Sequence, residues 1–451
     1  MTDLPATWRY APLAEIAAVQ GGIQKQPKRA PRSNRYPFLR VANVTAAGLD
    51  LRTVHEIELF GEDELDRLRL HPGDLLVVEG NGSPAQIGRA AVWDGSIKDC
   101  VHQNHLIRVR PGPALLPEYL GLIWNSPTIR QNLTEVASST SGLHTLSVAK
   151  LKKIALPLPT LEEQRRIVVV LEGHLSRLDA AAATLAVAAQ RLHRLQERLV
   201  LDAITGSSHD SERSECQLAG VGSNDGNLPD LPMGWTWSRL GDVADVVGGV
   251  TKDAKKQADP GFIEVPYLRV ANVQRGRLDL SDVARIRVSP SKAEALSLRP
   301  GDVLLNEGGD RDKLARGWVW EGQIEHCIHQ NHVFRARVRN PRLDPYFLSW
   351  TTNTIGGRWA ERNGKQSVNL ASISLSMIRR MPVIVPASGH ASVAIARLRD
   401  ELDSMARLRE EIARAETQNK ALRRAVLAAA FTGALSCRTG EVPVSDESVV
   451  A

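Results

Sequence analysis

Two kinds of hydrophobic pattern alternate along the chain. In residues 1–160 and 231–386, short apolar runs such as Asp74–Val78 (DLLVV) lie between turn residues, which is typical of strands. Residues 161–205 and 387–433 instead repeat apolar or small residues at alternating spacings of four and three. The pattern therefore predicts an α+β fold with two globular domains, each followed by a long helix.

The 4,3 spacing predicts the side chains through which the two helices pair. Each helix would run about 43 residues, or ~65 Å. A narrow seam suits a single partner helix, so we predict an antiparallel coiled coil, in which Asn419 fixes the register. The alternative is two separate helices, each packed on its own globular half. In the second helix the spacing changes phase once, between Met405 and Leu408, and Leu408, Ala415 and Leu422 then continue the seam. The predicted pairing residues are Leu171, Leu178, Leu185, Leu192 and Leu199 in the first helix, and Leu398, Met405, Ile412, Asn419 and Val426 in the second.

The chain also contains a long internal repeat. Matching strings lie 227 to 229 positions apart throughout, so one unit of about 205 residues occurs twice in tandem. The matches include Leu4–Ala17 with Leu231–Ala244, FLRVANV (Phe38–Val44) with YLRVANV (Tyr267–Val273), and CVHQNH (Cys100–His105) with CIHQNH (Cys327–His332).

The repeated hexapeptide could be a metal site or only a trace of the duplication. Its surroundings are typical of a strand, which would place Cys100, His102 and Asn104 on one face and Gln103 and His105 on the other. Zinc needs three or four ligands that converge on one point. The spacing therefore predicts no metal site, and polar contacts from a sheet instead.

These observations predict six segments. Residues 206–230 are rich in Gly, Ser, Asn and Asp, which is typical of a flexible linker. The segments are a first globular domain (1–160), a first long helix (161–205), the linker (206–230), a second globular domain (231–386), a second long helix (387–433) and a loose C-terminal tail (434–451).

Composition limits the protein class. Of 451 residues, 43% are hydrophobic, an ordinary globular value, and no run approaches the length of a membrane helix. The N-terminal residues lack the pattern of a signal peptide. The four cysteines are too scattered for a disulfide framework. We therefore expect a cytoplasmic protein with reduced thiols and no membrane association.

Charge and motifs favour binding over catalysis. The net charge is +6, and Gln24–Arg40 carries six basic residues and no acidic one, among them Lys25, Lys28 and Arg29. This segment is predicted to contact phosphates, although a solvated surface loop has the same composition. The sequence has no P-loop, GxGxxG, GxSxG or HExxH string and no Asn-Pro-Pro-aromatic methyltransferase string, so we predict no catalytic site.

Two pairs of loops differ between the copies far more than the strands before them. These are 80–90 against 308–317, and 138–147 against 362–371. Their Asn, Gln, Arg and Lys side chains are the types that read base edges, although simple drift after duplication would give the same divergence. The predicted DNA contacts, besides the three basic residues above, are Arg40, Asn81, Ser83, Gln86, Arg89, Ser141 and His144 in the first copy and Arg269, Asn306, Arg311, Lys313, Arg316, Lys365, Gln366 and Asn369 in the second.

The junction between domain and helix resembles a known family. Ile154–Glu172 (IALPLPTLEEQRRIVVVLE) and Val109–Ser126 (VRPGPALLPEYLGLIWNS) are similar to segments of the specificity (S) subunit of type I restriction-modification enzymes. The resemblance covers essentially the whole chain. The second junction, Met381–Leu398, keeps the prolines but lacks the Glu-Glu-Gln-Arg string, so either its helix meets its partner differently or this copy has drifted.

The resemblance implies a non-catalytic subunit that binds double-stranded DNA. Each globular half would be a target-recognition domain reading one half of a bipartite, asymmetric sequence. The helices would set the spacer and dock two modification (methyltransferase) subunits, which would bind S-adenosylmethionine, while this chain binds no cofactor; restriction (motor-nuclease) subunits would then join. The alternatives are a DNA methyltransferase or nuclease with an unrecognised active site, and a coiled-coil scaffold that does not bind DNA.

Overall fold

The computed structural model describes residues 4–45, 48–80, 87–137, 145–207, 212–215, 218, 224–253, 255–366, 370–387 and 391–435. Close contacts divide the chain into two units. The first comprises residues 1–186 and 413–451, and the second comprises residues 187–412. Each unit therefore combines one globular half with the beginning of one long helix and the end of the other.

The first unit is built on a four-stranded antiparallel sheet with the strand order β2-β10-β7-β8. A second sheet, β6-β3-β9, pairs β3 antiparallel with β6 and parallel with β9. A third pairs β1 with β11. The strands are β1 (Arg9–Pro12), β2 (Ala17–Gly21), β3 (Arg35–Leu39), β4 (Val44–Thr45), β5 (Gly48–Leu49), β6 (His55–Glu58), β7 (Leu75–Val78), β8 (Ala90–Val92), β9 (Val101–His102), β10 (Leu106–Pro111) and β11 (Ala155–Leu158); the helices are α1 (Leu13–Ile16), α2 (Glu62–Leu68), α3 (Pro117–Trp124), α4 (Pro127–Ala137), α5 (Val148–Lys152) and α6 (Leu161–Thr205), which continues into the second unit.

The second unit repeats this topology. Its sheets have the orders β15-β24-β20-β22, β19-β16-β23 and β14-β27, so the duplication seen in the sequence is also a duplication of the fold. Its elements are β12 (Arg213–Ser214), β13 (Leu231–Pro232), β14 (Thr236–Arg239), α7 (Leu240–Val243), β15 (Ala244–Gly248), β16 (Ile263–Leu268), β17 (Val273–Gln274), β18 (Arg277–Leu278), β19 (Ala284–Val288), α8 (Pro290–Leu296), β20 (Asp302–Asn306), β21 (Gly308–Gly309), β22 (Gly317–Val319), β23 (Ile328–His329), β24 (Val333–Val338), α9 (Pro345–Thr351), α10 (Gly357–Asn363), β25 (Lys365–Gln366), β26 (Ala371–Ser372), α11 (Leu375–Ile378), β27 (Pro382–Val385) and α12 (Ala391–Phe431).

The central strand β7 is buried on both faces, which explains its unbroken apolar run. Leu75 and Val77 pack into a core that includes Trp124, while Leu76 and Val78 pack into a separate core around Trp93. Successive side chains of a strand point to opposite sides, so a strand between two cores needs apolar residues at every position. The same division of side chains recurs in β20.

The two long helices run antiparallel within each unit. In the first unit, Asn419 Nδ2 donates to the backbone carbonyl of Leu178 at 2.9 Å, and Phe431 at the end of α12 packs edge-on against Tyr119 at a centroid distance of 5.5 Å. In the second unit, Arg409 donates to the side chain of Gln196. The predicted antiparallel pairing is present in both units.

The predicted seam of α12 is wrong at several positions. Leu408 and Leu422 are about half exposed, whereas Arg423, one residue after Leu422, is half-buried, as are Ala415 and Glu416. The less exposed residues Leu398, Met405, Ile412, Asn419 and Val426 recur every seven positions, without the predicted change of phase. Polar residues occupy the intervening positions because they reach across, as Arg423 does to Asp179. In α6 the predicted residues Leu171 and Leu192 are buried, and Leu178, Leu185 and Leu199 are half-buried.

The prediction of a flexible linker at 206–230 is wrong for part of that segment. The Asp225 carboxylate is buried and accepts hydrogen bonds from Arg239 Nη1 at 2.7 Å and from Trp359 Nε1 at 3.0 Å. Arg213–Ser214 pairs with Leu231–Pro232. A buried carboxylate needs such partners, and here they fix the linker to the second unit.

Candidate nucleic-acid interface

The divergent loops begin at one edge of each unit. The central strands β7 and β20 are followed by Glu79 and Glu307, after which the first divergent loop starts. The second divergent segment returns to the same place, because Leu146 N donates to Glu79 O at 2.7 Å and Ile373 N donates to Glu307 O at 2.9 Å. We call this region of each unit the loop edge.

Several predicted contacts lie outside the described residues. They are Asn81, Ser83 and Gln86 in the first loop, Ser141 and His144 in the second, and Asn369 in the second copy.

In the second unit the two divergent segments join in one small sheet. β21 pairs with β26, and β26 pairs with β25, which carries the exposed residues Lys365 and Gln366. Between β21 and β22 the chain forms a 3₁₀ turn that contains Arg311 and Lys313. Arg311 Nε donates to Glu361 O at 2.9 Å, and Lys313 pairs with Asp310. The fold thus brings these four predicted residues onto one polar surface.

Part of the basic segment Gln24–Arg40 in the first unit has a structural role. Lys25 and Lys28 are exposed, as a phosphate contact requires. Arg29 is not: its guanidinium pairs with Glu64 at 2.8 Å and lies 4.4 Å above the centre of the Phe60 ring. The prediction of a DNA contact for Arg29 is therefore corrected to a structural role.

The predicted arginines form two equivalent pairs. Arg40 and Arg269 each precede a 3₁₀ turn that leads into β4 or β17, and both are half-buried. Arg89 and Arg316 occupy matching positions before β8 and β22, and burial lowers the pKa of Arg316.

Asn306 is not a DNA contact. It is fully buried, and its Nδ2 donates to the carbonyls of Val270 and Val273 at 3.3 and 2.8 Å. In the first unit Val78 takes the place of Asn306, and Arg89 donates to the equivalent carbonyl, that of Val41, at 3.3 Å. The Asn306 amide therefore makes, in the second unit, the hydrogen bond that Arg89 makes in the first.

The hexapeptide is a short strand followed by a turn, rather than the continuous strand predicted. His102 and His329 are fully buried, and their Nδ1 atoms bond the carbonyls of Leu106 and Val333. Burial lowers the pKa of each to about 4.

The rest of the hexapeptide turns to the loop edge, which the sequence analysis missed. His105 Nδ1 lies 2.9 Å from Glu79 Oε2, and Asn104 Nδ2 lies 3.5 Å from His105 Nε2. In the second unit, His332 lies 2.6 Å from Glu307 Oε2 and 3.2 Å from Asn331 Nδ2. The signal that could have revealed them is identity between the copies at exposed positions.

Metal and thiol chemistry find no support in the described part of the chain. It contains no group of three or more His, Cys, Asp or Glu side chains able to hold a metal ion. Burial raises the pKa of the Cys100 and Cys327 thiols to about 12, so both stay protonated at neutral pH. Within the same ranges, every helix is too short or too polar to span a bilayer.

The chain is similar to specificity subunits of type I restriction enzymes. The family model "Type I restriction modification DNA specificity domain" matches residues 5–186. The specificity subunit of the type I restriction enzyme StySPI of Salmonella potsdam is 22% identical over 444 residues, which covers 96% of this chain and 90% of that protein. The specificity subunit of EcoKI of Escherichia coli K12 is 28% identical over 205 residues, covering 44% of this chain and 43% of that protein.

Two solved structures share the fold. A chain from a study of complex assembly and conformational transition of the type I R-M system aligns with a TM-score of 0.69 at 19% identity, covering 96% of this chain and 99% of its own length. The HsdS subunit of Thermoanaerobacter tengcongensis aligns with a TM-score of 0.51 at 18% identity, covering 96% of this chain and 98% of its own length.

Proposed function

We propose that this chain is a type I restriction-modification DNA specificity subunit, which its similarity to that family supports, and that each unit reads one half of a bipartite, asymmetric DNA target. The coarser role, recognition of a DNA sequence, follows from the family. The division of the target between the two units is the new part.

The loop edges carry this proposal. The two units share the order of strands in their main sheets, but the segments that start at the loop edge differ in sequence and in length, with ten residues from 80 to 89 and nine from 308 to 316. Base edges are read by side chains in the groove, while the scaffold only positions them. One scaffold with two different sets of loops suits two different half-sites.

The long helices suit a spacer. A continuous helix of 45 residues such as α6 is about 68 Å long, or about two turns of B-DNA at ~34 Å per turn. Exposed apolar side chains such as Val169, Val187 and Leu408 lie along the helices and would be covered by docked subunits. We propose two methyltransferase subunits there, which would bind S-adenosylmethionine, and a restriction subunit that joins them.

Methylome sequencing tests the proposal. The chain would be expressed with a type I methyltransferase subunit from its own genome in a host without type I systems, and methylated bases would be mapped. We expect one motif with two different half-sites separated by a fixed run of unspecified bases. A palindromic or continuous motif would contradict the two-reader arrangement, and methylation without any motif would contradict sequence recognition by this chain.

A further inference from the structure

The exposed part of the repeated hexapeptide has no structural explanation of the kind that its buried part has. Cys100, His102 and their counterparts are buried, and packing alone accounts for their identity between the copies. The His105 and His332 side chains are 56% and 55% exposed, and yet they and the preceding asparagines are identical. An exposed pair with a carboxylate stabilises a fold by little.

The same three side chains form one hydrogen-bonded chain in both units. The asparagine amide donates to Nε2 of the histidine, so Nδ1 carries the proton and donates to the glutamate. The backbone closes the arrangement, because Glu79 N donates to His105 O at 3.0 Å and Glu307 N to His332 O at 2.9 Å. The imidazole is thereby held at a fixed angle while one edge faces solvent.

The position of this chain of side chains is informative. Glu79 lies at the root of the first divergent loop, and its carbonyl receives Leu146 N at the root of the second. Glu307 and Ile373 repeat the arrangement. The asparagine, histidine and glutamate thus lie beside the roots of the two segments that would read bases. Unlike those segments, these three residues are identical in the two units.

We propose that Asn104–His105 and Asn331–His332, each supported by its glutamate, are phosphate contacts common to both units. The inference rests on the proposed function. If the two units read different half-sites, a residue identical in both cannot specify bases, and the DNA feature common to both half-sites is the phosphodiester backbone. The imidazole is held by the glutamate at Nδ1 and accepts one N–H of the asparagine amide at Nε2, so it orients the second N–H of that amide, which can donate to a phosphate oxygen.

The test measures binding of the full-length chain to a mixed-sequence duplex of fixed length, as a function of salt. We expect His105→Gln and His332→Gln each to lower the association constant about five- to tenfold at 0.1 M salt and to leave the slope of log K against log salt nearly unchanged, because the phosphate contact that each disturbs is made by an uncharged amide. The double variant should show both losses together, and the loss should be equal for unrelated sequences.

His193→Gln is the matched control, since His193 also lies near a glutamate, Glu197 at 3.5 Å, but on α6. It should leave affinity and slope unchanged. The double variant Asn104→Ala/Asn331→Ala keeps the imidazoles and should weaken binding with a nearly unchanged slope. If the histidine variants unfold, this double variant tests the proposal in their place.

Unchanged affinity in the folded histidine variants would overturn the proposal, as would a loss confined to one sequence. If the unsubstituted chain binds no DNA, the proposed function fails first. If it binds DNA and the variants bind equally well, only the phosphate contact fails.

Discussion

Asn419 on α12 donates its amide hydrogen to the backbone carbonyl of Leu178 on α6, and thus joins the two long helices inside the first unit. A carbonyl of a regular helix already accepts one intrahelical bond, so this second bond requires close approach of the two helices at one register. A polar group in the seam between two helices favours the alignment that satisfies it.

Removing this amide should therefore weaken the helix pair. We expect Asn419→Ala to lower the free energy of unfolding of the full chain by about 1 kcal/mol, the usual value of one lost hydrogen bond. Chemical denaturation followed by circular dichroism measures it. Gln418→Ala removes an exposed amide from the neighbouring position and should have no effect; equal effects of the two substitutions would show that Asn419 does not fix the register.

The buried ion pairs at the start of the central strands should matter more. Arg110 donates through Nε and Nη2 to the two oxygens of Asp74, both at 2.7 Å, and Arg337 holds Asp302 in the same way. Both aspartates are 1% exposed. Loss of one charge leaves the other without its partner inside the protein.

We expect Asp74→Asn or Asp302→Asn to destabilise the chain by about 3–5 kcal/mol. Denaturation midpoints provide the measurement. Glu264→Gln breaks the exposed pair with Arg285, and its midpoint should stay close to wild type. A similar loss in all three variants would mean that burial is not the cause.

The sequence allowed the duplication, the domain type and the long helices to be predicted, because these depend on periodic patterns that run over many residues. Prediction from the sequence failed where one side chain could lie either inside the fold or on its surface. Leu408 and Leu422 look like seam residues, but the seam accommodates Glu416 and Arg423, whose charged ends reach solvent or a partner. Asn306 looks like a base reader, although it bonds two carbonyls of its own fold. Only tertiary contacts decide such cases.

The buried histidines should make the protein sensitive to acid. In the folded state the pKa of His102 and His329 is about 4, against 6.5 for an ordinary histidine. A lowered pKa means that the unfolded chain binds protons first, so stability is complete above pH 6.5 and falls as the pH drops from 6.5 to about 4. Each histidine can remove roughly 3 kcal/mol across this range.

Thermal unfolding at several pH values tests this expectation. In His102→Gln/His329→Gln, the change of the unfolding midpoint between pH 7 and pH 5 should become smaller, although the variant is less stable at pH 7. His174→Gln replaces an exposed histidine of α6 and should keep the wild-type dependence. A pH dependence unchanged in the double variant would assign the acid sensitivity to other groups.

The ends of the two long helices depend on glycine. Gly206 after α6 has φ +62°, and a Cβ there would lie 2.5 Å from Pro232 Cγ; Gly433 after α12 has φ +80° and would meet Pro5 Cγ at 2.2 Å. A side chain is strained at such φ values and has no room here.

We expect Gly206→Ala and Gly433→Ala each to cost about 1–3 kcal/mol of stability. Gly173 is the control, because it lies inside α6 and a Cβ there would meet nothing within 4 Å. Gly173→Ala should stabilise the helix by about 0.5–1 kcal/mol. Destabilisation by all three substitutions would argue against the specific role of the helix ends.

Two residues of the first divergent loop should distinguish a base contact from a contact common to both units. Gln86 belongs to a segment that differs in the second copy, whereas Arg89 has an identical counterpart in Arg316. With the target known from methylome sequencing, Gln86→Ala should relax the preference at one base position of one half-site by about 1–3 kcal/mol, the value of one good base contact. Arg89→Ala should weaken binding to all sequences alike, because its position is common to both units. A uniform loss from Gln86→Ala would assign that glutamine to the backbone or the fold, and would place the reading of this half-site in the second divergent segment.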